Sequence, residues 1–150
     1  MARKIAPCRM VAVASPAYLA ARGEPEVPAD LARHECLRYT LTANSEAWEF
    51  ERDGVSTSVP AHSRLAVNNG DFIAAAAAAG MGVARLPTFI VADYLRSGRL
   101  RRILTEWTLP PIAVYAVYPH TRTLPAKTRR LIDFLVERFG PEPYWDRDLS

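Results

Sequence analysis

Few residues in this sequence are placed to do chemistry: Ser15 ahead of Pro16, the run Asn68-Asn69-Gly70-Asp71, and Arg85 on the far side of six consecutive alanines. Serine and asparagine cap helices, and proline suits a first helical position. A helix N-terminus carries unpaired N–H groups and a partial positive charge, which suits a carboxylate. Ordinary capping is the competing reading at both places. Arg85 is either a clamp for an anion, since the guanidinium fork matches a carboxylate, or a solvated charge. Phe72 reads as a pocket wall or as core. The chemistry in prospect is therefore binding. The chain has no G-x-S-x-G elbow, H-E-x-x-H pair, P-loop or dinucleotide fingerprint. His34, His62 and His120 are scattered without metal-ligand spacing. Asp133 and Glu137, four apart, read as ion-pair partners of arginines rather than as an acid/base pair. No catalytic residue, metal or cofactor is expected, and the chain does not read as an enzyme.

The elements that must position these residues can be read from punctuation and period. The apolar run Met10–Ala14 has the character of a buried strand. A short helix follows over Ala17–Ala21, stopped by Gly23 and Pro25. Pro28–His34 is a second short helix, and Cys36–Tyr39 a strand. Trp48–Glu51 and Val55–Val59 alternate around Asp53-Gly54 as a hairpin with one wet face. Arg64–Val67 is a strand, and the alanine helix runs from Gly70 or Asp71 to Ala79. Gly80-Met81-Gly82 releases the chain into a strand over Val83–Leu86. Pro87 opens a helix ending near Gly98, and Leu100–Leu104 is a strand. Ile112–Tyr118 is an apolar strand that calls for neighbours on both sides. Pro125 opens a helix with an apolar stripe of Leu131, Ile132, Leu135, Val136 and Phe139. The tail to Ser150 reads as loose. Strands alternating with short helices predict an α/β fold with a largely parallel sheet.

Composition agrees with a folded domain: 150 residues, 49% hydrophobic and 23% charged. The net charge of +3 is a mild bias, compatible with an anionic small ligand and weak as a signal for nucleic acid. Arg96, Arg99, Arg101 and Arg102, and likewise Arg122, Lys127, Arg129 and Arg130, read as solvated faces. Cys8 and Cys36 read as small buried thiols. With no signal peptide and no apolar span of about 18 residues, a cytoplasmic protein without membrane contact is expected.

An ordered series of motifs sharpens this reading. V-A-V-A-S-P-A-Y-L-A-A-R-G-E-P, P-A-D-L-A-R-H-E-C-L, W-E-F, G-M-G-V-A-R-L-P, L-R-S-G-R-L and V-Y-P-H-T-R-T-L-P-A-K-T-R-R-L-I-D-F-L together resemble the effector-binding domain of LysR-type transcriptional regulators, from about Arg3 to Phe139. The resemblance implies a fold similar to type 2 periplasmic binding proteins, with two α/β lobes and a small molecule in the cleft between them. It implies a complete second lobe over residues 11–104 and only part of the first lobe. Residues 1–10 would be a lead-in and crossing strand, 105–140 the return strand and helix of the first lobe, and 141–150 a tail. The rest of that lobe, the winged helix-turn-helix and the linker helix have no counterpart in this stretch. The resemblance also implies a small, anionic effector, with Ser15, Asn68, Asn69, Gly70, Arg85 and Pro87 as ligand-binding residues. Weakened effector affinity and self-association are expected. DNA would be reached only through a helix-turn-helix domain absent from this chain. A stand-alone solute-binding module of periplasmic type is the alternative.

Overall fold

The computed structural model describes residues 1–42, 44–119 and 124–149. His120 and Arg122 lie outside the described residues. The strands are β1 (Ala2–Cys8), β2 (Met10–Ala14), β3 (Cys36–Tyr39), β4 (Ala47–Arg52), β5 (Val55–Pro60), β6 (Leu65–Val67), β7 (Val83–Pro87), β8 (Arg101–Ile103) and β9 (Ile112–Val117). The helices are α1 (Pro16–Arg22), α2 (Gly70–Ala78), α3 (Thr88–Arg96) and α4 (Ala126–Phe139), with 3₁₀ segments at Pro28–Arg33 and Tyr144–Asp146.

Five strands form the central sheet in the order β6-β3-β7-β2-β8. β3 pairs in parallel with β6 and β7, whereas β2 pairs antiparallel with β7 and β8. Four strands therefore run one way and only β2 opposes them. The expected largely parallel sheet is thus mixed: half of its pairings are antiparallel, because β2 enters the sheet from the opposite edge.

Both faces of this sheet are covered. Tyr18, Leu31, Trp48, Phe50 and Val59 pack on one face, contributed by α1, the Pro28–Arg33 turn and the β4–β5 hairpin. Ile73, Ala74, Ala77, Val91 and Leu100 fill the other, where α2 and α3 lie. The alanines suit this face. Ala74 and Ala77 are fully buried and let α2 lie close to the strands, while Phe72 is 54% exposed and belongs to no core. Gly70 marks a close approach of α2 to α3, since a Cβ there would meet Ile90 Cδ1 at 2.6 Å.

A second, smaller layer joins the two ends of the chain. β1 pairs antiparallel with β9 alone, so β9 has one neighbour among the described residues where two were expected. Ile112, Tyr115 and Val117 of β9 are accordingly exposed. Ile132 of α4 is buried against Ile5 and Ala6, with Leu135, Val136 and Phe139 packed alongside, but Leu131 lies outside the stripe and is exposed. The tail corrects a further expectation. Trp145, Asp146 and Leu149 are buried, and Trp145 and Leu149 join the cluster that contains Ala92 of α3 and Ile132 of α4. A large aromatic with apolar surface on two helices outweighs the turn-forming residues around it. The arginines of the Arg96–Arg102 cluster are likewise not simply solvated. Arg96 donates to the Tyr144, Trp145 and Arg147 carbonyls, Arg101 pairs with Glu24, and the Arg99 guanidinium lies 4.7 Å from the Tyr94 ring centroid. Among the described residues no helix is long and apolar enough to cross a membrane.

Candidate functional site

The parallel strands β6, β3 and β7 end at one edge of the sheet, at Val67, Tyr39 and Pro87. β2 begins at that edge, with Met10 opposite Pro87. Ligands of open α/β sheets bind outside the carboxyl ends of parallel strands, where the following helices present their N-termini. Here α2 and α3 do so. A cavity of about 210 Å³ opens at this edge, lined in part by Met10, Tyr39, Gly70, Arg85, Pro87 and Phe89. Ile90 and Ile112 add to its apolar wall, and Thr42 also lines it.

Three of the residues picked out in the sequence, Gly70, Arg85 and Pro87, meet at this cavity. Pro87 is both the last residue of β7 and the cap residue from which α3 opens; the helix begins at Thr88, whose N–H donates to the Arg9 carbonyl at 2.9 Å. Asn69 stands beside it as the cap of α2, its Oδ1 accepting from Phe72 N at 2.9 Å. Asn68 is exposed on the same connection, between Val67 and the cap.

Ser15 is not gathered with them. β2 is the reversed strand, so its carboxyl end, and the start of α1, lie at the opposite edge, roughly 16 Å from Met10 at 3.3 Å per residue. The Ser15 hydroxyl is buried there and accepts from Tyr18 N at 3.1 Å, so capping accounts for it fully. A larger concavity of about 740 Å³ opens near that edge, lined by residues that include Tyr18, Arg22, Glu35 and Arg64. Two of its polar groups are already engaged. The Tyr18 hydroxyl sits 3.0 Å from His34 Nδ1 and accepts from Glu35 N, and the Glu35 carboxylate accepts from Arg64 N at 2.6 Å. It is also the more open of the two.

Arg85 differs. Its guanidinium carbon lies 5.7 Å from the Trp48 ring centroid, within cation–π range. Among the described residues no carboxylate approaches it within 4.0 Å. Burial pushes the group down from the usual arginine value, and Glu49 pulls the other way. It remains a cation at neutral pH. A half-buried cation beside apolar walls, held by an aromatic ring and with no carboxylate within 4.0 Å among the described residues, can accept an anion at small reorganisation cost.

Sequence reasoning missed Met10, Tyr39, Thr42, Phe89 and Trp48. They come from separate elements, and no local spacing links them. Tyr39 alone carried a signal, being the last residue of a strand parallel to β7. No group of His, Cys, Asp and Glu side chains among the described residues could hold a metal ion. Cys8 and Cys36 are buried, unpaired thiols, pushed up to about 11 and about 12 by burial.

Comparison with known proteins decides the family. The model of the LysR substrate binding domain matches residues 1–140. The chain belongs to the LysR substrate-binding domain family. The HTH-type transcriptional regulator PtxR of Pseudomonas aeruginosa is 40% identical over 145 residues, covering 95% of this chain and 46% of that protein. The regulatory domain of CrgA, a LysR-type regulator from Neisseria meningitidis, superposes with a TM-score of 0.80 at 28% identity, over 93% of this chain and 69% of that one. Full-length AphB, the Vibrio cholerae virulence activator, matches with a TM-score of 0.78 at 26% identity, over 91% of this chain and 47% of that one. The LysR-type fold, related to type 2 periplasmic binding proteins, is thus the fold of this chain. It is an effector-binding domain of LysR type and spans less than half the length of the curated relatives it matches. Those relatives are transcriptional regulators.

Proposed function

We propose that this LysR-type domain senses a small anionic metabolite, held at the carboxyl edge of the central sheet, and so modulates transcription by the regulator it serves. The carboxylate of the effector faces Arg85 and the start of α2 at Asn68, Asn69 and Gly70. Its apolar part lies against Met10, Tyr39, Phe89 and Pro87. The observation that carries this reading is Arg85, a half-buried guanidinium without an acid partner among the described residues. The cavity falls below the roughly 300–1,000 Å³ typical of drug-sized ligands, which favours a compact metabolite. Residues 11–104 form the effector-holding lobe, residues 1–10 lead into it, and 105–140 return to a first lobe. Contact with DNA belongs to a helix-turn-helix domain outside this stretch, and the protein works in the cytoplasm.

Calorimetry with a panel of small carboxylic acids and their neutral amides tests this. At least one acid should bind better than its amide, and Arg85→Gln should weaken it about tenfold or more, the scale of a lost charge-assisted hydrogen bond. Equal binding of acid and amide, or an indifferent Arg85→Gln variant, would sink the assignment.

The same chain is also proposed to self-associate along β9. That strand has an open edge among the described residues, shows Ile112, Val114, Tyr115 and Val117 to solvent, and carries no charged residue to guard it.

A further inference from the structure

The segment after α4 lies beyond the family match, which ends at residue 140, yet it is tightly docked. Trp145 is only 8% exposed and touches two helices at once. Its ring stands edge-on to Phe89 of α3, centroids 6.0 Å apart, and 5.3 Å from Phe139 of α4. Tyr144 adds a third ring at 5.1 Å. The backbone is clasped as well. One terminal nitrogen of Arg96 reaches the carbonyls of Tyr144, Trp145 and Arg147 at 3.4, 3.3 and 3.2 Å. Arg9, the single residue between β1 and β2, approaches the Asp146 carboxylate at 3.5 Å.

Phe89 has two neighbourhoods. One side of it helps line the cavity at the sheet edge, and it packs edge-on against Trp145. It is also half-exposed and sits in the first turn of α3, which has no side-chain cap to hold it. Aromatic pairs of this geometry fix ring orientation beyond mere burial. We infer that Trp145 is a positioning residue for the cavity. It acts through Phe89, setting the wall against which the apolar part of an effector rests, and Arg96 holds the segment in place. This rests on the reading of that cavity as the effector site.

Two measurements separate the inference from the reading beneath it. The first is hydrogen exchange of the amides of Thr88, which donates to the Arg9 carbonyl, and Val91, the first amide of the α3 ladder. Trp145→Ala should speed their exchange about tenfold or more while the β4–β5 hairpin stays protected, and Trp145→Phe should restore most of the protection. Arg96→Gln, which leaves the aromatic cluster intact, should give a smaller change in the same amides. The second is calorimetry with cyclohexanecarboxylate and acetate as probes. Trp145→Ala should erase the gain that the ring confers over acetate and leave acetate unchanged, whereas Arg85→Gln should weaken both. If neither acid binds the native chain, the effector reading fails, and the exchange experiment still decides whether Trp145 holds Phe89. Unchanged exchange at Thr88 and Val91 in Trp145→Ala, or acceleration spread evenly over the chain in all three variants, overturns the inference.

Discussion

His34 shows how a residue without a role in binding can still govern stability. It is buried beside α1, with Nδ1 3.0 Å from the Tyr18 hydroxyl. Because that hydroxyl already accepts from Glu35 N, its own proton is free to go to His34, which fits a neutral imidazole. Burial lowers the histidine pKa, Arg22 and Arg33 lower it further, and Asp30 opposes them. The unfolded chain therefore takes up the proton more readily, near the ordinary value of about 6.5. The stability from this group is present above that value and is lost as the pH falls below it. His34→Gln should flatten the dependence of melting temperature on pH between about 7 and 5. Parallel slopes for variant and native protein would refute this. None of it was visible in the sequence, where His34 was one of three scattered histidines. The bond to Tyr18 spans sixteen positions and needs the fold to exist. Arg85, by contrast, could be singled out from its strand and its neighbours, although its contact with Trp48 could not.

At the scale of elements, glycines separate two kinds of close approach. Gly82 sits where β7 meets β3, and a Cβ there would drive into the Glu35 carbonyl oxygen, a backbone atom that cannot step aside. At Gly70 the obstacle is the tip of the Ile90 side chain, which can rotate away. Gly82→Ala should therefore cost about 3 kcal/mol, the upper end of overpacking effects, and Gly70→Ala about 1 kcal/mol. Thermal or urea unfolding of the two variants checks the order, and equal losses would contradict it. Strand and helix boundaries were largely legible, because proline and glycine mark nearly every end; α2 begins at Gly70 as the Asn69 cap predicts. Strand direction was not. The run Met10–Ala14 identifies a buried strand but says nothing of its orientation, and orientation alone sends Ser15 to the wrong edge for the cavity. The tail was misread for a related reason: Trp145 finds its partners Phe89 on α3 and Phe139 on α4, 56 and 6 residues away in the chain.

At the scale of the molecule, one surface stands apart. The open edge of β9 and the exposed Leu131 and Phe134 of α4 belong to the layer that the two chain ends build. An uncharged strand edge pairs readily with another copy of itself. Light scattering across a concentration series should show a mass rising above that of one chain, and Val114→Lys should restore the monomer. A monomeric mass at every concentration would rule the association out. The same layer has a consequence for how the protein is made. β1 leaves the ribosome ahead of β2 to β9, yet its only strand partner among the described residues is β9, with Ala2 opposite Val117. At about 5–20 residues per second, β1 waits on the order of 5–20 s for that partner to be synthesised. The five-stranded sheet draws only on residues between Met10 and Ile103 and can assemble in the meantime. The nascent chain should thus carry a finished sheet and an unpaired β1, and it is in that interval that a holdase would find its target.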